Sequence, residues 1–407
     1  MPSLPLKLKS GARSLAVWSM AGLGLTLPIA PAPTNIMYLL ILIGWALSGD
    51  WAEKWRVLKQ SSVAQAVGFL CALILLGTLY GEASANENFH YVTKYSSLIL
   101  VPVLISLQLN AQEKWRALSG FCIAMLITLL LSFLIWLNWL PAGLIKEMDP
   151  SNPVVFKLHI THGFFMAIAA FFLCFCARSF SDWRRMALLT LALLAVINVL
   201  LMVKGRTGQA VVMVLLVYLF YLRFSYKGLL AGIAATLVLA IGAYAISPAF
   251  KERSDIAVHE ATHWQARQGE NKVSSIGQRF DYYLTSFSII KKHPLFGVGT
   301  GGFPRAYVHE IEGTDMEPSN NPHNQYLLIT AQLGLIGLLA LLGVYAACWR
   351  SAAMLQAPFS QLLIGVVLAY VVGNLFNSFM LDFSERLLFV WAIGILLSHK
   401  AAEQTPQ

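Results

Sequence analysis

Charge is what this sequence lacks most. Asp, Glu, Lys and Arg make up 12% of its 407 residues, while hydrophobic residues make up 57%. Soluble domains carry about twice that charged share. No soluble fold of this length can hide so much apolar surface, so the chain reads as an all-α, polytopic membrane protein. Cysteine is scarce too: Cys71, Cys122, Cys174, Cys176 and Cys348 all fall inside apolar runs. There they act as small hydrophobes. Cys174 and Cys176 point to different helix faces and make a poor metal pair, and the polar segments hold no cysteine for a disulfide. Any Asp-x-Asp pair is also missing, which argues against a metal-dependent nucleotide-sugar transferase. No motif for reading RNA or DNA is present, so the net charge of +9 does not signal nucleic-acid binding.

What the chain does have is apolar runs, at roughly 12 places: 12–30, 34–48, 63–80, 92–109, 115–139, 160–178, 183–202, 208–222, 227–247, 323–349, 359–378 and 386–400. Several fall short of the roughly 20 residues a straight span needs, which leaves room for tilt or re-entry. With a cytoplasmic N-terminus, fifteen Lys and Arg from Lys7 to Lys400 lie on the cytoplasmic side. The short loops of the other face hold six: Lys94, Lys146, Lys157, Lys204, Arg206 and Arg386. That asymmetry follows the positive-inside rule and predicts an even number of spans with both termini cytoplasmic. The N-terminus has the look of a signal peptide, but Pro33 directly after Ala30-Pro31-Ala32 disfavours cleavage, so a retained first span is expected.

One long hydrophilic segment, 248–322, interrupts this pattern, and topology places it outside the cytoplasm. Its 8 basic residues are tolerated because long loops escape the charge rule. Phe250–Gln268 reads as an amphipathic helix on the bilayer. Phe280, Tyr283, Leu284, Phe287 and Ile290 sit near helical spacing and predict a second helix. No separate soluble domain is visible. The whole of 1–407 is expected to be a single integral membrane domain, with 248–322 as a partly helical cap.

Several short patterns carry possible chemistry. His259-Glu260-Ala261-Thr262-His263 matches a zinc-protease helix, although polar Gln265 and the lack of an obvious third ligand count against it. Gly297-Val298-Gly299-Thr300-Gly301-Gly302 has dinucleotide-fingerprint spacing but no strand-helix-strand context. It reads as a tight turn, either a plain one with positive φ or one whose amides face a phosphate. Glu310, Glu312, Asp315 and Glu317 read as a solvated loop. Arg206, in Lys204-Gly205-Arg206-Thr207-Gly208, is pinned between two spans against the topology preference. That marks it either as a headgroup-snorkelling residue or as an anion ligand able to grip phosphate in bidentate fashion. Arg279, in Ser275-Ile276-Gly277-Gln278-Arg279-Phe280, is a second cation at a loop-to-helix junction.

His323 is the most legible of these. Asn321 can cap a helix, Pro322 suits its first position and His323 would be second. The positive end of the helix dipole would then keep the imidazole neutral, as a general base requires. A capping or headgroup-contacting histidine is the plainer alternative.

Taken together, these residues resemble the O-antigen ligase and O-antigen polymerase superfamily of bacterial inner-membrane glycosyltransferases. The matching pieces are His323-Asn324-Gln325-Tyr326-Leu327, read as His-Asn-x-x-Leu, the glycine-rich stretch from His293 to Phe303, and Gly205-Arg206-Thr207 at a span start. The resemblance implies about 12 transmembrane helices in a GT-C-like arrangement, with one large periplasmic loop over the active site. Within the superfamily a ligase fits best. The polymerases often carry arginine-led repeats ending in glycine eleven residues later, whereas here Arg206 leads to Val217 and Arg279 to Ile290.

The implied reaction joins polysaccharide from undecaprenyl pyrophosphate to the lipid A-core oligosaccharide, with inversion and without metal or other cofactor. Its implied partners are that lipid-linked O-antigen, the lipid A-core acceptor and membrane lipids, with no nucleic acid. His323 would be the base. Arg206 and Arg279 would offset pyrophosphate charge, and Lys204, Gly299, Gly301 and Asn324 would assist in binding. An O-antigen polymerase, or a flippase for a lipid-linked oligosaccharide, is the alternative.

Overall fold

The computed structural model describes residues 5–141, 148–262 and 275–399. Among these residues every regular element is a helix. The chain begins with α1 (Leu6–Thr26), α2 (Pro31–Leu47), α3 (Trp51–Gln60), α4 (Ser62–Leu76), α5 (Ala85–Tyr95), α6 (Leu100–Ile105), α7 (Ala111–Trp136) and α8 (His159–Cys176). It continues with α9 (Trp183–Ile197), α10 (Arg206–Ile246), α11 (Pro248–Thr262), α12 (Ser275–Lys292), α13 (Phe303–Glu310), α14 (Gln325–Ala352), α15 (Phe359–Phe376) and α16 (Phe383–Leu397). This is the expected all-α, polytopic membrane protein.

The expected number of spans is not confirmed. By length and composition, six described helices can cross a membrane, or seven if α2 and α3, bent 112° apart, count as one broken span. Some apolar runs form shorter elements. Run 92–109 is divided between α5, a 3-10 turn at Ser96–Ile99 and the six-residue α6. Helices α4 and α16 each reach 15 residues, about 22 Å at 1.5 Å per residue, short of a ~30 Å hydrocarbon core.

Two long helices reverse on themselves. In α10 the break is Ser225, at φ 54° and ψ −138°. A Cβ placed on Gly232 would lie 2.9 Å from the Cα of Val217, an approach no straight helix permits. The limbs on either side of Ser225 are therefore antiparallel, in agreement with the two runs read at 208–222 and 227–247. In α14 the break is Gly334, at φ 66° and ψ −166°. Asn324 at one end donates its Nδ2 to the Leu375 carbonyl, and Tyr345 accepts from Asn374 next door. A straight helix would hold Asn324 and Tyr345 about 30 Å apart. Run 323–349, expected as one span, is thus a short limb, Gln325 to Leu333, folded against a long one.

Helix α16 is buried along nearly its whole length, and its Trp391 Nε1 donates to the Met20 carbonyl of α1 at 3.0 Å. Phe164 of α8 packs edge-on against Tyr370 of α15 and tilts against Phe379, at centroid distances of 4.9 and 4.4 Å. Such buried rings dominate core packing. At the far end of the bundle Arg13 forks onto both oxygens of Glu113, at 2.7 and 2.9 Å. The α15–α16 connection, residues 377–382, emerges at the end where the candidate site lies.

Candidate functional site

The segment before α14 is held by its own asparagines. Asn321 Oδ1 accepts from the His323 amide at 2.9 Å, an Asx turn, and also from Ser378 Oγ at 2.6 Å. His323 itself has φ 52°, a left-handed conformation in which histidine is over-represented. Non-glycine residues held this way cost about 1–3 kcal/mol and concentrate at functional sites. Asn324, not Asn321, is the N-cap: its Oδ1 accepts from the amides of Tyr326 and Leu327 at 2.9 and 3.1 Å. The helix therefore starts three residues later than the sequence predicts, and His323 precedes it. With its Oδ1 occupied by two amides and its Nδ2 on Leu375, Asn324 fixes backbone instead of reaching for substrate.

The imidazole is nevertheless held neutral, for a different reason from the one expected. Burial lowers the His323 pKa below its ordinary value, and the Arg279 guanidinium lowers it further. Tyr282, three residues after Arg279 on α12, lies with its ring 5.9 Å from the His323 ring. Tyr283 beside it donates to the Leu375 carbonyl at 3.1 Å. Helix α12 thus brings Arg279 and His323 into one site, and burial also weighs against the guanidinium charge.

The glycine-rich stretch has another job. Val298 and Gly299 donate their amides to the carbonyls of Ala331 and Gln332, at 2.9 and 2.8 Å. Those carbonyls end the short limb of α14 and have no partner within the helix. The Leu335 amide, starting the long limb, donates to Pro294 at 2.8 Å, and the Thr300 amide donates to Gly77 at 2.9 Å. Gly297, Gly299 and Gly301 all have positive φ, and the Ala331 carbonyl oxygen would sit 2.5 Å from a Cβ at Gly297. Glycine is required here so that the turn can seal the hairpin bend. The amides of Gly297 through Thr300 are all taken by protein carbonyls, so those four form no phosphate cradle, and Gly299 loses its expected binding role. Gly301 faces the backbone of Glu87 on α5.

Arg206 opens α10, after a π-turn at Asn198–Met202. Next to it, Thr207 Oγ1 accepts from Asn377 Nδ2 at 2.7 Å. Loop 377–382 therefore touches both halves of the site: Asn377 bonds beside Arg206, Ser378 bonds Asn321, and the Met380 amide donates to Gln325 Oε1 at 3.0 Å. Lys204 turns elsewhere, its Nζ to Ser151 Oγ at 3.0 Å and its amide to Asn152. Below Arg206, helices α8, α9 and α10 enclose an apolar groove of about 210 Å³ lined by Phe171, Ala192, Val196, Val212, Leu215 and Leu219. Val212 to Leu219 lie ~9–20 Å along α10 from Arg206.

Sequence reasoning missed Asn377, Ser378, Gln325 and Tyr282. The available signal was a cluster of amides and hydroxyls, Asn374, Asn377 and Ser378, at the end of an apolar run. Of the zinc motif, His259 lies exposed on α11, while His263 is outside the described residues. The same holds for the end of the expected amphipathic helix. Helix α12 packs on α14 and α13 on α12.

Residues 191–342 match the O-antigen ligase family. That span contains Arg206, Arg279, the glycine turn and His323, and it supports a function of the O-antigen ligase or polymerase type. An uncharacterized protein of Haemophilus influenzae is 28% identical over 144 residues, covering 34% of this chain. The matched stretch spans about a third of that relative's own length, 35%. A chain from a solved structure of a peptidoglycan synthase complex superposes with a TM-score of 0.46 and 16% identity, over 82% of this chain and 96% of that one.

Proposed function

We propose that this chain joins O-antigen polysaccharide, carried on undecaprenyl pyrophosphate, to the lipid A-core oligosaccharide, on the periplasmic side of a bacterial inner membrane. One observation carries the reading: a histidine whose pKa is lowered by burial lies under the influence of the half-buried Arg279, within the segment that matches the ligase family.

His323 is the general base. It takes the proton of an acceptor sugar hydroxyl as that oxygen attacks the anomeric carbon. The bond from that carbon to the pyrophosphate oxygen breaks, and its electron pair leaves with the pyrophosphate. Direct displacement inverts the anomeric centre. Arg206 and Arg279 offset the charge growing on the leaving group, the largest demand of this reaction. The apolar groove beneath Arg206 suits an isoprenoid tail, and the cap segment 248–322 keeps water from hydrolysing the donor. The scheme uses no metal.

The test is a lipopolysaccharide gel from a deletion strain complemented with this gene. The reading expects a ladder that is lost on deletion while free lipid-linked polymer accumulates, and that returns with the wild-type gene. A core carrying one repeat unit would mean a polymerase, and transport across vesicles with no new glycosidic bond would mean a flippase.

A further inference from the structure

Arg386 has no part in that chemistry, yet it is a cation buried where burial is costly. It lies in the first turn of α16 with 4% of its surface exposed. Its Nε donates to Ser97 Oγ at 2.7 Å, and its Nη1 donates to the carbonyls of Leu381 and Met380 at 2.8 and 3.3 Å. Asp382 and Glu385 face it from its own end of α16, with Tyr38 of α2 and Tyr95 of α5 opposite and Lys94 nearby. Buried charges of this kind persist when they are paired and serve a purpose beyond stability.

The two carbonyls it holds belong to loop 377–382. Met380 is gripped from both sides, its carbonyl by Arg386 and its amide by Gln325 at the start of α14. Two residues earlier Ser378 bonds Asn321, and one before that Asn377 bonds Thr207. A single short loop therefore spans from the neighbour of Arg206 to the neighbours of His323, and Arg386 is the side chain that pins its back.

We propose that Arg386 is a positioning residue: by clamping the Met380 and Leu381 carbonyls it sets the register between the Arg206 turn and the His323 segment. Its catalytic consequence rests on the glycosyl-transfer reading above, but the coupling itself does not.

The experiment uses the full-length protein in nanodiscs, as wild type, Arg386→Met and Arg386→Lys. Hydrogen exchange is followed in peptides covering 319–327 and 375–383, with 104–110 at the far end as control. Arg386→Met should speed exchange in both site segments and leave the control unchanged. Arg386→Lys, which keeps the charge but not the fork, should fall between and covers the case of a misfolded methionine variant. Steady-state transfer should show kcat falling about 10²-fold, the scale of a ~1 Å misplacement, with donor KM nearly unchanged. Faster exchange confined to 375–383, with 319–327 as in wild type, would overturn the proposal, as would wild-type kcat in both variants. Coupled exchange in a protein whose wild type transfers no sugar would leave the clamp standing and sink the functional reading.

Discussion

Replacing Arg279 with glutamine changes two quantities at once, and the structure fixes the sign of both. The guanidinium is expected to stabilise charge on the departing pyrophosphate. Losing one such preorganised donor typically costs about 10²–10³ in kcat, or roughly 3–4 kcal/mol. Arg279 is also the lesser of the two causes holding the His323 pKa down, burial being the greater. A catalytic base works in its neutral form, so activity climbs with pH through the pKa of that base and levels off above it. In the wild type this limb lies below the ordinary histidine value of about 6.5. Removing Arg279 should move the limb upward but leave it short of that value, because burial persists. The rate loss should therefore deepen as pH falls. Arg279→Lys should keep the limb near its wild-type position and recover part of the rate, since charge is retained while the planar fork is lost. The assay is initial-rate transfer by purified protein between about pH 5 and 8, the range in which an imidazole changes charge. A limb that stays fixed or moves down in Arg279→Gln would refute the electrostatic link between the two residues.

Arg206→Ala should lower kcat/KM for the lipid donor severely while Arg206→Lys retains a fraction, checked by donor titration at fixed acceptor; unchanged donor use would remove its phosphate role. Asn324→Ala should cost about 1 kcal/mol through the lost cap, with the bond to Leu375 also gone, seen as a lower unfolding midpoint in detergent. Gly297→Ala should destabilise more, on the scale of ~1–3 kcal/mol for a strained backbone, because the new methyl meets the Ala331 carbonyl. If that variant melts like the wild type, the hairpin seal is misassigned.

Much of the fold was legible because membrane helices announce themselves in composition, and the α10 limbs followed from two separate apolar runs. The α14 hairpin did not, because Gly334 sits inside an unbroken apolar run and its reversal depends on the glycine turn closing over it from residues 293–300. His323 and Arg206 are visible as ionisable groups at the edges of apolar runs, and Arg279 as a cation at a loop-to-helix junction within the hydrophilic segment. Their surroundings are less so. Asn321-Pro322 suggested a cap, but two competing asparagines lie in four residues, and only the backbone bonds show that Asn324 wins. The neutral state of the imidazole was anticipated from the dipole, whereas its cause is burial and a cation from a helix 44 residues earlier in the chain. Loop 377–382 is marked in the sequence only by the polar cluster Asn374, Asn377 and Ser378, and the partners of its bonds lie far away in the chain, where no local pattern points to them.

The most direct test of the account is single-turnover transfer by His323→Ala beside the wild type, with undecaprenyl-pyrophosphate-linked polysaccharide and lipid A-core acceptor. A folded variant that still binds donor but transfers it about 10²–10⁴-fold more slowly, the usual worth of a positioned base, is the predicted result. Transfer at the wild-type rate would contradict it.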